Sequence, residues 1–159
     1  DLNITDAIYF AGMQREPYQY LRKGEIYLLT SSNEGFPNAL VEGMSLGLAA
    51  VSVNCMTGPA EILLEDGDAS CLEKRESGEK IPVIYGEYGI LLPVMTKERD
   101  LDAAHILPEE KNMADVVLGL LEDDEMLQKY QKAAVERAQC FTYEMYVEKF
   151  MELAACKQQ

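Results

Sequence analysis

Residues 26–64 read IYLLTSSNEGFPNALVEGMSLGLAAVSVNCMTGPAEILL, and this stretch decides the fold. Ile26 to Leu29 is an apolar run of strand length. A polar loop bearing Gly35 and Pro37 follows, and Asn38 to Met44 can then wind as a helix that Gly47 stops. Ala49 to Val53 is a second strand-like run. The polar loop Asn54 to Gly58 leads into another helical start at Pro59-Ala60-Glu61-Ile62-Leu63. Strand, loop, helix, repeated, predicts an α/β fold: a Rossmann-like parallel sheet flanked by helices. In such sheets ligands sit beyond the carboxyl ends of the strands, where both polar loops fall.

The residues there have a readable chemistry. The first turn of the 38–44 helix offers unpaired N–H groups and the positive end of the helix dipole, which together suit a phosphate. Glu34 and Glu42 flank that turn, with seven residues between them. Carboxylates accept hydrogen bonds from hydroxyls and do not bind phosphate. An anion site between two hydroxyl acceptors suits a sugar nucleotide, with the diphosphate on the helix and the two sugars at the glutamates.

The segment Ser31-Ser32-Asn33-Glu34-Gly35-Phe36-Pro37-Asn38, with Glu42 on the helix, the Gly47-Leu48-Ala49 step and the Gly58-Pro59-Ala60-Glu61 turn, resembles the donor-binding signature of GT-B glycosyltransferases of the family 4 type. That resemblance implies part of the C-terminal lobe of a GT-B fold. It also implies retaining transfer from a UDP- or GDP-sugar to a saccharide or glycolipid acceptor, in cell-surface polysaccharide synthesis. Glu34 would be the catalytic residue near the donor-sugar hydroxyls, and Glu42 would accept the ribose hydroxyls. Gly35, Phe36, Pro37, Asn38, Ala39 and Leu40 would offer backbone groups to sugar and diphosphate. No metal and no cofactor is implied. The expected location is the cytoplasm or the cytoplasmic face of a membrane. The N-terminal acceptor lobe, the first two strands of the donor lobe and a basic pair on the diphosphate have no counterpart here. Arg15, Arg22 and Lys23 are the only cations in the first 73 residues, and none stands where that pair would be. The chain lacks an initiator Met and is expected to be a fragment, inactive alone and able to self-associate through its open sheet edge.

Its 159 residues suffice for one domain with a core. The formal net charge of −14 argues against nucleic-acid binding. It also gives no long-range steering of an anionic donor, so the cations are expected from outside this chain. Four cysteines without a C-x-x-C pair, and a single histidine, make a zinc site unexpected and point to free thiols. No apolar run approaches the length of a membrane span, and no secretory leader is visible.

Further along, Ala7 to Ala11 is expected as a strand and Pro17 to Lys23 as a short helix with Tyr18 and Leu21 facing inward. Residues 65–87 read as a loop or hairpin excursion, with Glu73 to Lys80 as its loop and Ile81 to Tyr85 as a small strand. Tyr88 to Leu92 is the next parallel strand, and Val94 to Leu107 a loop. Three helices complete the domain over residues 109–156. Met113, Val116, Val117, Leu120 and Leu121 form the stripe of the first, and Leu127, Tyr130, Ala134 and Arg137 that of the second. Thr142 caps the third, whose stripe is Tyr146, Phe150 and Leu153.

Blander readings stand beside these. Phe36 and Leu40 can be core, Gly35 and Gly58 ordinary turn glycines or positions needing positive φ, and Glu61 a helix-start carboxylate. His105 reads as a surface residue without an acid partner. Asp66-Gly67-Asp68 lacks the ligand spacing of a calcium loop. Two other functions remain: a non-catalytic sugar-nucleotide-binding or assembly module, and a sugar-nucleotide epimerase of similar architecture. A dehydrogenase ranks below both, because no G-x-G-x-x-G follows a strand.

Overall fold

The computed structural model describes residues 4–72, 81–95, 102 and 105–156. Its elements are α1 (Tyr18–Leu21), β1 (Ile26–Leu29), α2 (Asn38–Ser45), β2 (Ala49–Val53), α3 (Pro59–Leu63), β3 (Ile84–Tyr85), β4 (Ile90–Leu92), α4 (Pro108–Glu122), α5 (Asp124–Ala138) and α6 (Tyr143–Cys156). Short 3-10 turns lie at Thr5–Ala7, Ser70–Leu72 and Gln139–Phe141. β1, β2 and α3 begin and end where the sequence places them, and α2 runs one residue past Met44.

The strands lie in the order β1-β2-β4-β3. β1 and β4 both run parallel to β2, while β3 pairs antiparallel with β4. The expected parallel sheet is thus a parallel core with one antiparallel edge. The reason is the link: residues 86–89 join β3 to β4, closed by the Gly86 N–H on the Gly89 carbonyl at 3.0 Å. So short a link can only reverse the chain, because a parallel neighbour needs a crossover of about a dozen residues or more. The small strand expected over Ile81 to Tyr85 is present as Ile84–Tyr85, but it joins the sheet as the antiparallel partner of β4 rather than leaving it as an excursion. Residues 73–80, the core of that excursion, lie outside the described residues, as do 96–101, 103 and 104 of the following loop.

Every residue of β2 is buried, as a central parallel strand covered on both faces should be. Its side chains alternate between two cores. Ala50 joins Leu29, Leu40, Met44, Ile62, Leu63 and Leu91 on one face. Ala49, Val51 and Val53 join Ile90, Leu92, Met113, Val116 and Leu120 on the other. Helix α5 serves both, placing Leu127 and Tyr130 in the second core and Ala134 and Ala138 in the first. Arg137 of α5 is half-buried and structural. Its guanidinium donates to the carbonyls of Glu61 at 2.7 Å and Ile62 at 3.0 Å, and lies over the rings of Tyr88 and Phe141. Helix α2 sits tight on β1 because Gly43 has no side chain. A Cβ there would lie 2.7 Å from Cγ of the Tyr27 ring.

Three expectations are corrected outside this core. Ala7–Ala11 forms no strand: Thr5–Ala7 is a 3-10 turn, and Ile8, Tyr9 and Phe10 are exposed. No strand of the described residues lies beside it to pair its N–H and C=O groups. Tyr18 of α1 faces outward rather than inward. Helix α6 forms, with the Thr142 hydroxyl accepting from the Met145 N–H at 3.4 Å, but Tyr146, Phe150 and Leu153 are all exposed. In α4, Met113, Val116 and Leu120 are buried, whereas Leu121 is exposed.

Candidate functional site

Because β1 and β2 are parallel and adjacent, the loops that leave them emerge at the same edge of the sheet. The two polar loops meet there. The Thr57 hydroxyl donates to the Gly35 carbonyl at 3.2 Å. Gly58 has φ +97°, and a Cβ on it would lie 2.6 Å from the Gly35 carbonyl oxygen and 2.6 Å from Cδ of Pro37. Glycine at 58 is therefore required twice, by its φ and by the contact. Gly35 does not have positive φ, and a side chain at that position would enter open space.

Glu34 is half-buried and Glu42 exposed. Both bear on one phenol: burial first, then Glu42, then Glu34, pushes Tyr27 above the usual tyrosine range. Glu34 lies in the loop after β1 and Glu42 on α2, the helix that packs on β1. Behind them Cys55 is fully buried. Burial pushes its thiol up, its own N–H opposes this, the Glu34 charge adds to the rise, and the Glu34 N–H opposes it.

The helix end is narrower as an anion site than its sequence suggests. No side chain caps α2. The Asn38 N–H donates to the Phe36 carbonyl and the Leu40 N–H to the Pro37 carbonyl, both at 3.0 Å. Of the first three N–H groups, only that of Ala39 has no such turn bond among the described residues. Leu40 is therefore core, fully buried with its N–H engaged, and does not turn that N–H outward. Pro37 is buried, Asn38 and Ala39 are exposed, and Phe36 is 41% exposed with its ring 5.4 Å from that of Phe141.

Phe36 and Asn38 also border a cavity of about 520 Å³, shared with Phe141, Thr142, Tyr146 and Lys149. The last four come from more than a hundred residues further along the chain, and no local pattern marks them as neighbours of the loop. Lys149 is the one whose charge matters, since it brings a cation to the wall beside α2. On the far side of the second loop, Asn54 Oδ1 is buried with no hydrogen-bond partner, and Met56 holds φ +47°.

Other residues singled out in the sequence resolve simply. His105 Nδ1 lies 4.0 Å from Asp102 Oδ2 on the surface, so it does have an acid neighbour. Asp66 and Asp68 accept from the N–H groups of Asp68 and Ser70, each at 2.9 Å, and serve as turn caps. Glu61 is exposed in the first turn of α3. Cys55, Cys71 and Cys140 are free thiols. Among the described residues no helix is long and apolar enough to cross a membrane.

Known proteins resemble this chain as follows. Residues 1–81 match the family described as glycosyl transferases group 1. An uncharacterised glycosyltransferase of Methanocaldococcus jannaschii is 33% identical over 152 residues, covering 94% of this chain and 36% of the relative. The N-acetylgalactosamine-N,N'-diacetylbacillosaminyl-diphospho-undecaprenol 4-alpha-N-acetylgalactosaminyltransferase of Campylobacter jejuni is 25% identical over 141 residues, 89% of this chain and 30% of that protein. The crystal structure of the C-terminal domain of a glycosyl transferase group 1 family protein from Francisella tularensis superposes with a TM-score of 0.55 at 18% identity, over 84% of this chain and 51% of that one. At that identity the likeness speaks for the fold alone. The chain spans about a third of the length of the curated relatives it matches.

Proposed function

The chain belongs to the group 1 glycosyltransferases, and we propose that it is the lobe of such an enzyme that holds a nucleotide-activated sugar. Its architecture is the α/β, Rossmann-like lobe of the GT-B fold. The observation that supports the proposal is the meeting of two loops at one edge of the sheet: the loop after β1, which carries Glu34 and leads into the uncapped start of α2, and the loop after β2.

In this reading the donor is a UDP- or GDP-sugar. Its diphosphate lies at the Ala39 N–H and the positive end of α2. Glu42 accepts the ribose hydroxyls, and Glu34 accepts hydroxyls of the sugar to be transferred. Gly35 to Asn38 border the diphosphate with backbone groups. During transfer the bond from the sugar carbon to the diphosphate oxygen breaks, and the diphosphate leaves with the electron pair. The acceptor hydroxyl forms the new bond on the same face, and its proton passes to the departing phosphate oxygen. Negative charge grows on that oxygen, where preorganised N–H groups stabilise it most. The reading uses no metal ion.

The acceptor is a saccharide or a lipid-linked saccharide, a class for which the Campylobacter relative's name is the support. We assign to the remainder of a longer protein the acceptor lobe and the cations that meet the diphosphate. A net charge of −14, which cannot steer an anionic donor from a distance, supports that second assignment. The proposed location is the cytoplasm or the cytoplasmic face of a membrane, and this lobe alone should not turn over.

The test is transfer by the full-length protein over a panel of UDP- and GDP-sugars, with Glu34→Ala beside the wild type. We expect release of nucleotide only when an acceptor is present, and a loss of about a hundredfold or more in Glu34→Ala. Nucleotide binding without any transfer would favour a non-catalytic module. Wild-type rates in the variant would remove Glu34 from the site.

A further inference from the structure

We propose that Thr57 and Gly58 are positioning residues: they brace the loop after β1 against the loop after β2 and so hold Glu34 at the donor sugar. The inference rests on the donor-lobe reading and deepens it.

The two loops differ in support. The 30–37 loop leaves β1, which among the described residues pairs with β2 alone. Within the described residues its backbone bonding is sparse, a single turn bond from Asn38 to Phe36 before the helix begins. The 54–58 loop leaves β2, the fully buried strand, and runs into α3, where Pro59, Ala60, Ile62 and Leu63 are buried. Its first amide, Asn54 N–H, is tied to the Leu92 carbonyl at 2.7 Å. It also holds Met56 at φ +47° and Gly58 at φ +97°. A non-glycine residue persists in that region only where its surroundings dictate it.

Stiffness can therefore pass from the loop after β2 to the loop after β1, through two contacts. The Thr57 hydroxyl holds the Gly35 carbonyl, the residue next to Glu34. The bare Cα face of Gly58 lies against Gly35, Phe36 and Pro37 so closely that a methyl group would have to displace backbone and ring atoms. Cys55 of the same loop is fully buried in the second core, which further fixes that loop. Displacing a catalytic group by about 1 Å is enough to cost two orders of magnitude in rate. Thr57 acts through Glu34 and need not touch the donor.

The test uses the full-length enzyme with the donor that the panel identifies, comparing Thr57→Val, Thr57→Ser, Glu34→Ala and the double variant Thr57→Val/Glu34→Ala. Thr57→Val should lower kcat/KM about fivefold, the value of one hydrogen bond, with an unchanged melting temperature. Thr57→Ser should restore it. In the Glu34→Ala background Thr57→Val should cost nothing more, because residues acting as a unit are not additive. Gly58→Ala should lower kcat/KM further than Thr57→Val, and its melting temperature shows how much of that is lost folding. A wild-type rate in Thr57→Val beside a crippled Glu34→Ala would overturn the brace and leave the donor lobe standing. So would an undiminished loss in the double variant. A wild-type rate in Glu34→Ala would instead remove the reading on which the brace depends.

Discussion

Residues 26–64 and the two flanks of the chain, 4–16 and α6, are alike in apolar content and opposite in outcome. In the first, Leu29, Leu40, Met44, all of β2 and Ile62 to Leu64 are buried, with Leu28, Phe36 and Met56 as the large exposed exceptions. In the flanks, Tyr9, Phe10, Met13, Tyr146, Phe150 and Leu153 are exposed. The difference is the presence of a neighbour. β1, β2 and β4 complete one another's ladders, and their side chains close two cores against helices. Among the described residues no strand lies beside the run at 7–11, and α6 leaves an open cavity between itself and Phe36 and Asn38. Periodicity therefore says which residues can be buried, and topology says whether they are.

That contrast can be broken by substitution, starting from the largest expected effect. Ile62→Ala, at a fully buried position of α3, should destabilise the protein by about 3–4 kcal/mol in chemical denaturation. A cost below about 1 kcal/mol would mean that the first core is open. Gly43→Ala should cost about 2–3 kcal/mol by forcing a methyl group into the Tyr27 ring. An exposed helix glycine would show the reverse, a gain from better helix propensity.

The second face has a pH test. Burial, then Tyr85 and Glu87, pushes the Tyr130 phenol up to about 12. The folded protein keeps a proton that the unfolded chain releases near pH 10. The contribution to stability is therefore whole below pH 10 and is lost as pH rises from about 10 to 12. The fall should be about 2 kcal/mol, since Tyr130 is 3% exposed and little screened. Tyr130→Phe should flatten the curve across that window; an unchanged slope would mean that Tyr130 is in contact with water. The smallest effect belongs to the flanks. Phe10→Ser and Phe150→Ser should each change the stability of this chain by less than about 0.5 kcal/mol. A loss above about 2 kcal/mol would show that those side chains do find a partner.

Much of the fold was legible because its signals are local. Pro59 opens α3, and Ala49 to Val53 reads as a strand, which the fold then buries on both faces. The antiparallel edge was less legible, because Ile84–Tyr85 is too short to announce its partner. At the site, the assignment of Glu34 and Glu42 rests on the resemblance of the whole segment around them, since two glutamates at that spacing are common by chance. The engagement of the Leu40 and Asn38 N–H groups could not, since it depends on the turn that Phe36 and Pro37 adopt. Phe141 and Lys149 were invisible for a different reason. They reach the loop only through the way α5 and the turn after it cross the sheet.

The central claim is that the start of α2 and two carboxylates form one donor site. Calorimetric titration of UDP and GDP into full-length protein, wild type against Glu42→Gln, tests it most directly. The account predicts that one nucleotide binds the wild type and that Glu42→Gln weakens it about tenfold, as expected for losing a charged acceptor to a ribose hydroxyl. Equal affinities in the two proteins would contradict it.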